Sequence, residues 1–326
     1  MTDPWLLAAV ALVGVPLAEV LYLVAAEGVL RLLPSRWAGA LRPWVWLLPA
    51  LGLVGVFLVY PALHTVLLSL FGPQAETFVG LANYARAFTG PQMREAFRNN
   101  LLWLVVFTGA TVSLGLVMAV LADRVRYEPV VRAILFLPMA ISFVAAAVIW
   151  KFVYEFRPLG LPQIGLLNAL LTAVVPGFRP VAWLAHGPWV NNLALILVAV
   201  WVWTGFALVV LSAALKGLPA ELLEAARVDG ATEWQVFWRV IVPLLAPTIT
   251  VVATTMVIYA LKAFDVVYVM TSGNFGTEVI ANRMYEELFI ARDFGLASAI
   301  AVILFLAIVP VMVANVRRFR AQEALR

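Results

Sequence analysis

Two charged side chains in an otherwise apolar stretch, Lys262 and Asp265, are the residues of this chain best placed to do chemistry. An ionised group at the centre of a bilayer costs about 2.5–3.5 kcal/mol on insertion scales, so it marks a functional site or a partner. With residues 246–270 taken as one helix, Lys262 and Asp265 share a face, and Tyr259 lies on that face one turn earlier. A neutralised pair beside a phenol suits the wall of a polar cavity. The alternative is a structural ion pair that locks two helices. A second set is aromatic. Trp201, Trp203, Thr204 and Phe206 fall within the apolar run 190–214. Aromatic faces with a few polar groups fit the C–H surfaces and hydroxyls of a sugar. Trp201, Thr204 and Phe206 are the candidate ligands here, against the alternative of an aromatic belt at the membrane surface. Ser142 and Trp150 are weaker candidates, and Glu19 and Glu27 receive no role.

Other chemistry has no residues to carry it. Cysteine is absent, and the two histidines, His64 and His186, give no spacing for a metal cluster. A phosphate-cradling G-x-x-x-x-G-K-[ST] loop is missing, so ATP is not bound that way. No Ser/His/Asp set and no pair of catalytic carboxylates stands out, which disfavours a membrane-embedded enzyme.

The elements that must position the candidates are membrane spans. Of the 326 residues 64% are hydrophobic and 12% charged, with a mean hydropathy of +0.99. A soluble domain carries roughly 25% charged residues. A net charge of +4 gives no reason to expect a nucleic-acid partner. Seven apolar runs, 5–30, 44–70, 100–122, 131–154, 190–214, 246–270 and 295–316, are long enough to cross a hydrocarbon core of about 30 Å. Backbone polar groups must pair internally in lipid, so the prediction is an all-α polytopic bundle of about seven spans. Residues 1–43 read as an extra N-terminal span with its loop, and 44–326 as a six-helix membrane domain. The N-terminal MTDPW lacks the basic stretch of a cleaved signal and is expected to be retained.

With the tail Arg317-Arg318-Phe319-Arg320 in the cytoplasm, thirteen Lys and Arg residues fall inside and eight outside, with Lys262 set apart. The longer segments 72–98, 155–189 and 272–293 then lie outside. Segment 216–245 lies inside, and it holds a polar island, EAARVDGATEWQVFWRVIVPLLAP, between two apolar runs. It reads as helix, a glycine break, then a second helix. Gly230 permits a left-handed turn there at no Cβ cost. Ala225 and Ala226 leave room for a partner surface, and Glu224 offers that partner a charge. The alternative is an interfacial helix that only anchors the loop.

This island resembles the cytoplasmic loop of the permease subunits of bacterial ABC importers. Glu224, Ala225, Ala226, Asp229, Gly230, Ala231, Phe237, Ile241 and Pro243 stand where that pattern has them, with an apolar helix ending at the proline. FVGLANYARAF, RAILFLPMAISFVAAAVIWKFVY, LSAALKGLPAELLEAARVDGA and DFGLASAIAVILFLAIVPVMVANVR extend the resemblance to sugar permeases of the maltose type over roughly 44–316. WKFVYEFRP, QIGLLNALL and Leu261-Lys262-Ala263-Phe264-Asp265 narrow it to the alpha-glucoside permeases.

The resemblance implies a type I ABC importer permease in a bacterial inner membrane, non-enzymatic itself and binding no cofactor. ATP–Mg would sit on a separate ATP-binding subunit dimer that engages Glu224, Ala225, Ala226, Asp229, Gly230, Ala231, Phe237 and Pro243. A second permease, an extracytoplasmic sugar-binding protein docked on the outer loops, and a sugar substrate complete the implied partners. In such permeases the helix corresponding to residues 246–270 lines the sugar site, with different residue types. The rival reading, an ion-coupled secondary transporter using Lys262 and Asp265, leaves the polar island unexplained and lacks evident inverted repeats.

Overall fold

A computed structural model describes residues 10–323. The MTDPW stretch, the start of the run placed at 5–30 and Arg326 lie outside the described residues. Every described element is helical apart from one isolated bridge, Phe71 to Phe78. Among the described residues six helices are long and apolar enough to cross a membrane, or seven if a bent pair is one span.

Residues 1–67 and 68–326 form two separate units. The first is a helical hairpin, α1 (Leu12–Arg31) and α2 (Ser35–Leu68). Tyr22 Oη donates to Val45 O at 2.7 Å, and Glu27 accepts from Arg42 at 2.8 Å. Its surface is apolar, with Leu21, Trp44 and Phe57 exposed, as a helix solvated by lipid requires. Residue 43, the boundary expected from sequence, falls inside α2. Pro43 and Pro49 are carried within this helix.

The second unit runs through α3 (Ala82–Thr89), α4 (Pro91–Ala122), α5 (Glu128–Ala140), α6 (Phe143–Val153), α7 (Leu166–Val174), α8 (Pro188–Lys216), α9 (Ala220–Val228), α10 (Glu233–Leu261), α11 (Asp265–Met270), α12 (Ile280–Tyr285) and α13 (Phe294–Glu323). The long helix α8 is its axis and packs on α4, α5, α6, α10 and α11. At Gly205 a Cβ would lie 2.2 Å from Leu135 O, so only glycine lets α5 lie against α8 there.

Two spans depart from the sequence-based reading. The run 131–154 is broken: α5 and α6 meet at 99°. Pro138 withdraws a backbone donor, Ile141 is extended, and the Ser142 hydroxyl accepts from Ala145 N at 3.2 Å to start α6 afresh. Ser142 is thus a helix cap. The run 246–270 is displaced: α10 begins at Glu233 and ends at Leu261. It passes straight through Pro243 rather than ending there. A π-turn at Phe237–Ile241 widens the helix before Pro243, easing its ring off the carbonyl four residues back. The same pairing recurs at Val10–Gly14 before Pro16 and Gly55–Val59 before Pro61. Trp103–Phe107 and Glu286–Ile290 form π-turns without a following proline.

Candidate functional site: a helical corner and an aromatic cluster

At one end of the bundle α9 and α10 make a tight corner. The α9 helix carries Glu221 in its first turn and Arg227 in its last, both favourable to its dipole. Gly230 has φ +82°, and its N–H donates to Arg227 O at 3.0 Å while Ala231 N donates to Ala226 O at 3.0 Å. This is the double hydrogen bond of a Schellman stop, with glycine at the left-handed position. One residue later Thr232 opens α10 through a reciprocal cap: Gln235 N donates to Thr232 Oγ1, and Thr232 N to Gln235 Oε1. Asp229-Gly230-Ala231-Thr232 is therefore a complete stop-and-restart signal. Glu233 then ties the corner together, accepting from Arg227 at 2.8 Å and from Arg124, beyond the end of α4, at 2.5 Å.

The motif residues divide into two faces. Glu224, Ala225, Asp229 and Gly230 are exposed, beside Val228 at 87% exposure and Trp234 at 70%. Glu224 forms no ion pair among the described residues. Ala226, Ala231 and Phe237 instead pack on the bundle core with Leu223. Ala226 is small because the Schellman stop brings Ala231 onto it, so of the two alanines only Ala225 looks outward. The second helix of the island is the first turn of α10, so a displacement of the corner is a displacement of that span.

The aromatic candidates also divide. Trp203 and Phe206 join Tyr259, Phe143, Phe107 and Trp103 in one cluster, with Tyr259 centred 5.1 Å from Trp203 and 5.2 Å from Phe107 and from Phe143. Among the described residues the buried indole N–H of Trp103 has no hydrogen-bond partner, nor do the hydroxyls of Thr108 and Thr111 on α4, while the Trp203 indole N–H lies against the Tyr259 hydroxyl. Buried donors without acceptors are costly and are uncommon unless a ligand or water meets them. Trp201 points elsewhere, edge-on to Trp150 at 5.7 Å, and Trp150 continues to Tyr154. The Thr204 hydroxyl donates to Val200 O within its own helix. Two residues along a helix turn about 200°, which separates Trp201 from Trp203.

Lys262 and Asp265 do not share a helix face. α10 stops at Leu261, and Asp265 opens the short α11. Lys262 is exposed, Asp265 half-buried, and no ion pair joins them among the described residues. Each complements a helix dipole, the cation at the end of α10 and the carboxylate at the start of α11. From Glu233, 29 residues extend about 43 Å, longer than the hydrocarbon core, so Lys262 falls at the end of the span and not at its middle. The ion-coupled reading thereby loses its pair of mid-membrane charges.

At the end of the bundle opposite the corner, buried amides hold the chain segment 271–280, a feature sequence reasoning missed. Asn99 donates to Gly276 O at 2.9 Å and Glu278 O at 2.8 Å, and Asn100 accepts from Ile280 N at 2.8 Å. Asn191 donates to Phe275 O at 2.8 Å and Asn192 to Gly276 O at 2.9 Å. The visible signal was the Asn-Asn doublet near the start of both α4 and α8. Burial pushes the Glu278 carboxyl up to about 7, opposed by hydrogen bonds from Asn282 and Val279 N.

Helical spans, a stiff helical corner and an aromatic cluster within the bundle are the features of a membrane-embedded protein. The chain belongs to the family of binding-protein-dependent transport system inner membrane components, whose model matches residues 111–321. It is an ABC importer permease of the inner membrane. It is similar to the osmoprotective compounds uptake permease protein GgtC of Synechocystis sp., at 58% identity over 86% of this chain and 100% of that protein. It is likewise similar to the alpha-glucoside transport system permease protein AglF of Rhizobium meliloti, at 45% identity over 86% of this chain and 83% of that one. A solved bacterial ABC transporter involved in the import of the acidic polysaccharide alginate shares the fold, with a TM-score of 0.73 at 24% identity over 88% of this chain and 99% of that chain.

Proposed function

We propose that this chain forms half of the translocation pathway of an ATP-driven importer for small alpha-glucosides. Segment 216–245 takes up the motion of a separate ATP-binding subunit dimer, which holds the ATP–Mg; this chain binds no cofactor. The observation that carries the reading is the corner. A Schellman stop, a capping box and a shared carboxylate make it stiff, and its exposed Glu224, Ala225, Val228, Asp229 and Trp234 offer a charged and apolar knob. A force on that knob acts on α10 directly, through Phe237 and the turn that leads to Pro243. ATP shifts the pathway between its two openings only by binding one state better than the other.

The corner and the C-terminus lie in the cytoplasm in this reading, as the charge bias favours. The opposite end, with 72–98 and 272–293, receives an extracytoplasmic sugar-binding protein, and a second permease completes the pathway. Sugar is met by Trp103, Trp203, Phe206 and Tyr259, where the Trp103 indole N–H and the Thr108 and Thr111 hydroxyls await partners. Trp201 and Thr204 lie one face away, and Lys262 and Asp265 stand towards the outer rim. The alpha-glucoside assignment leans on the 45% relative. The 58% relative favours a second reading, an osmoprotective compound as cargo.

The test is uptake by the complex reconstituted with an ATPase, a second permease and a sugar-binding protein as its partners. Labelled maltose, trehalose and sucrose are compared with glycine betaine, a solute without a sugar ring. ATP-dependent accumulation of one of the glucosides supports the first reading. Accumulation of betaine alone rejects it.

A further inference from the structure

Residues 158–178, PLGLPQIGLLNALLTAVVPGF, hold no charged side chain, although they connect two spans and are expected to lie in water. Their structure is not that of a loose connection. Asn168, fully buried on α7, accepts from Val181 N at 3.0 Å and Trp183 Nε1 at 3.1 Å, and donates to Val181 O at 2.9 Å and Glu155 O at 3.3 Å. One amide thus satisfies all four of its hydrogen bonds and locks the inner face of α7. Leu167 on that face packs on the bundle.

The outer face is the opposite of what water selects. Leu166, Leu170 and Val174, one turn apart each, are 64%, 55% and 68% exposed, and Leu159, Leu161 and Ile164 beside them are all above half. An apolar helix face held rigidly outward requires an apolar solvent or partner. Two observations select the bilayer. The segment follows directly from α6, whose exposed residues Val144, Val148, Ile149 and Phe152 continue the lipid-facing surface of the fourth span. It is also bracketed by Arg157 and Arg179, both exposed and in no ion pair among the described residues, with no carboxylate between them. Guanidinium groups flanking an apolar face suit lipid phosphates.

We propose that residues 158–178 lie in the outer leaflet, with α7 flat in the interface, its Leu166–Leu170–Val174 face among acyl chains and Arg157 and Arg179 on phosphate headgroups. The occupant of this surface is phospholipid and not the binding protein or the second permease. The segment acts as a float that fixes the depth of the bent α5–α6 span, and it takes 155–189 out of the docking surface. Only the choice of leaflet rests on the orientation proposed above.

The chain has no cysteine, so each substitution places a single thiol on it, and the partner subunits are used in cysteine-free form. A nitroxide is placed at Leu170→Cys and, as an aqueous reference, at Glu76→Cys, which lies in another exposed loop. The chain, co-purified with its partner subunits, is reconstituted into phosphatidylethanolamine–phosphatidylglycerol vesicles. Collision rates with oxygen and with a water-soluble nickel chelate are then read. Oxygen is expected to dominate several-fold at 170 and the nickel chelate several-fold at 76. Nickel access at 170 equal to that at 76 places the helix in water and overturns the proposal. Exclusion of both reagents at 170 means that a protein covers it, and overturns the proposal equally.

Discussion

Trp201 and Trp203 stand two positions apart on α8, yet only Trp203 reaches Tyr259, with its indole N–H against the phenol. A polar group that fixes the orientation of a substrate-facing cluster contributes about 1–3 kcal/mol, and 1.4 kcal/mol is a factor of ten. Trp203→Phe is therefore expected to raise the KM for uptake about tenfold, while Trp201→Phe leaves it nearly unchanged. A transport assay on the two variants side by side decides this, and equal effects would remove Trp203 from the site. At Glu278 the expectation is a pH dependence. Its carboxyl titrates near 7 in the fold against an ordinary value of 4.5, so the folded state holds the proton more tightly than the unfolded one. Stability of segment 271–282 is then highest below about pH 4.5, falls as pH rises towards 7 and is flat above. Hydrogen exchange of the amides 273–282 should show protection falling between pH 5 and pH 7.5. In Glu278→Gln that change should vanish. Neither residue stood out from its type: an aromatic-rich helix shows which residues are present, and only the neighbouring helix shows which of them face a common space.

The elements divide between those the sequence spells locally and those it does not. The helix–glycine–helix outline of the corner was legible, because a helix stop and a left-handed glycine are decided within a dozen residues; the capping box and the inward turn of Ala226 and Phe237 were not. Gly230→Ala puts a Cβ into a left-handed conformation, at a cost of about 1–2 kcal/mol. The expected result is a partial loss of transport-coupled ATP hydrolysis with normal membrane insertion. Glu224→Lys, which reverses an outward charge that makes no ion pair among the described residues, should abolish coupling while leaving the fold intact. Wild-type ATPase stimulation in both variants, measured on the assembled complex, would remove the corner from the coupling path. The α5–α6 bend and the end of α10 were not legible. Hydropathy runs unbroken through Pro138 and through Lys262, since apolar character persists where the backbone breaks. That is why Lys262 and Asp265 read as one face and prove to be two helix ends.

For the whole molecule, the charge bias predicts the C-terminus and the corner on one side and 72–98 on the other. Single cysteines at Glu224 and Glu76 test it in intact cells with a thiol reagent that cannot cross the membrane. Glu76→Cys should label at once and Glu224→Cys only after permeabilisation; the reverse order would invert the topology. Sequence alone determined that this is an all-helical membrane protein with a helix–glycine–helix corner, and its motifs carried the resemblance to importer permeases. The helices and the corner follow from composition, from the length of apolar runs and from hydrogen bonds made within a few residues. Only the tertiary structure decided which aromatics gather, where spans 4 and 6 break, how buried asparagines pin segment 271–280, and that 158–178 turns an uncharged face outward. Each of these depends on what lies across the helix from a residue, and a one-dimensional pattern contains no such neighbour.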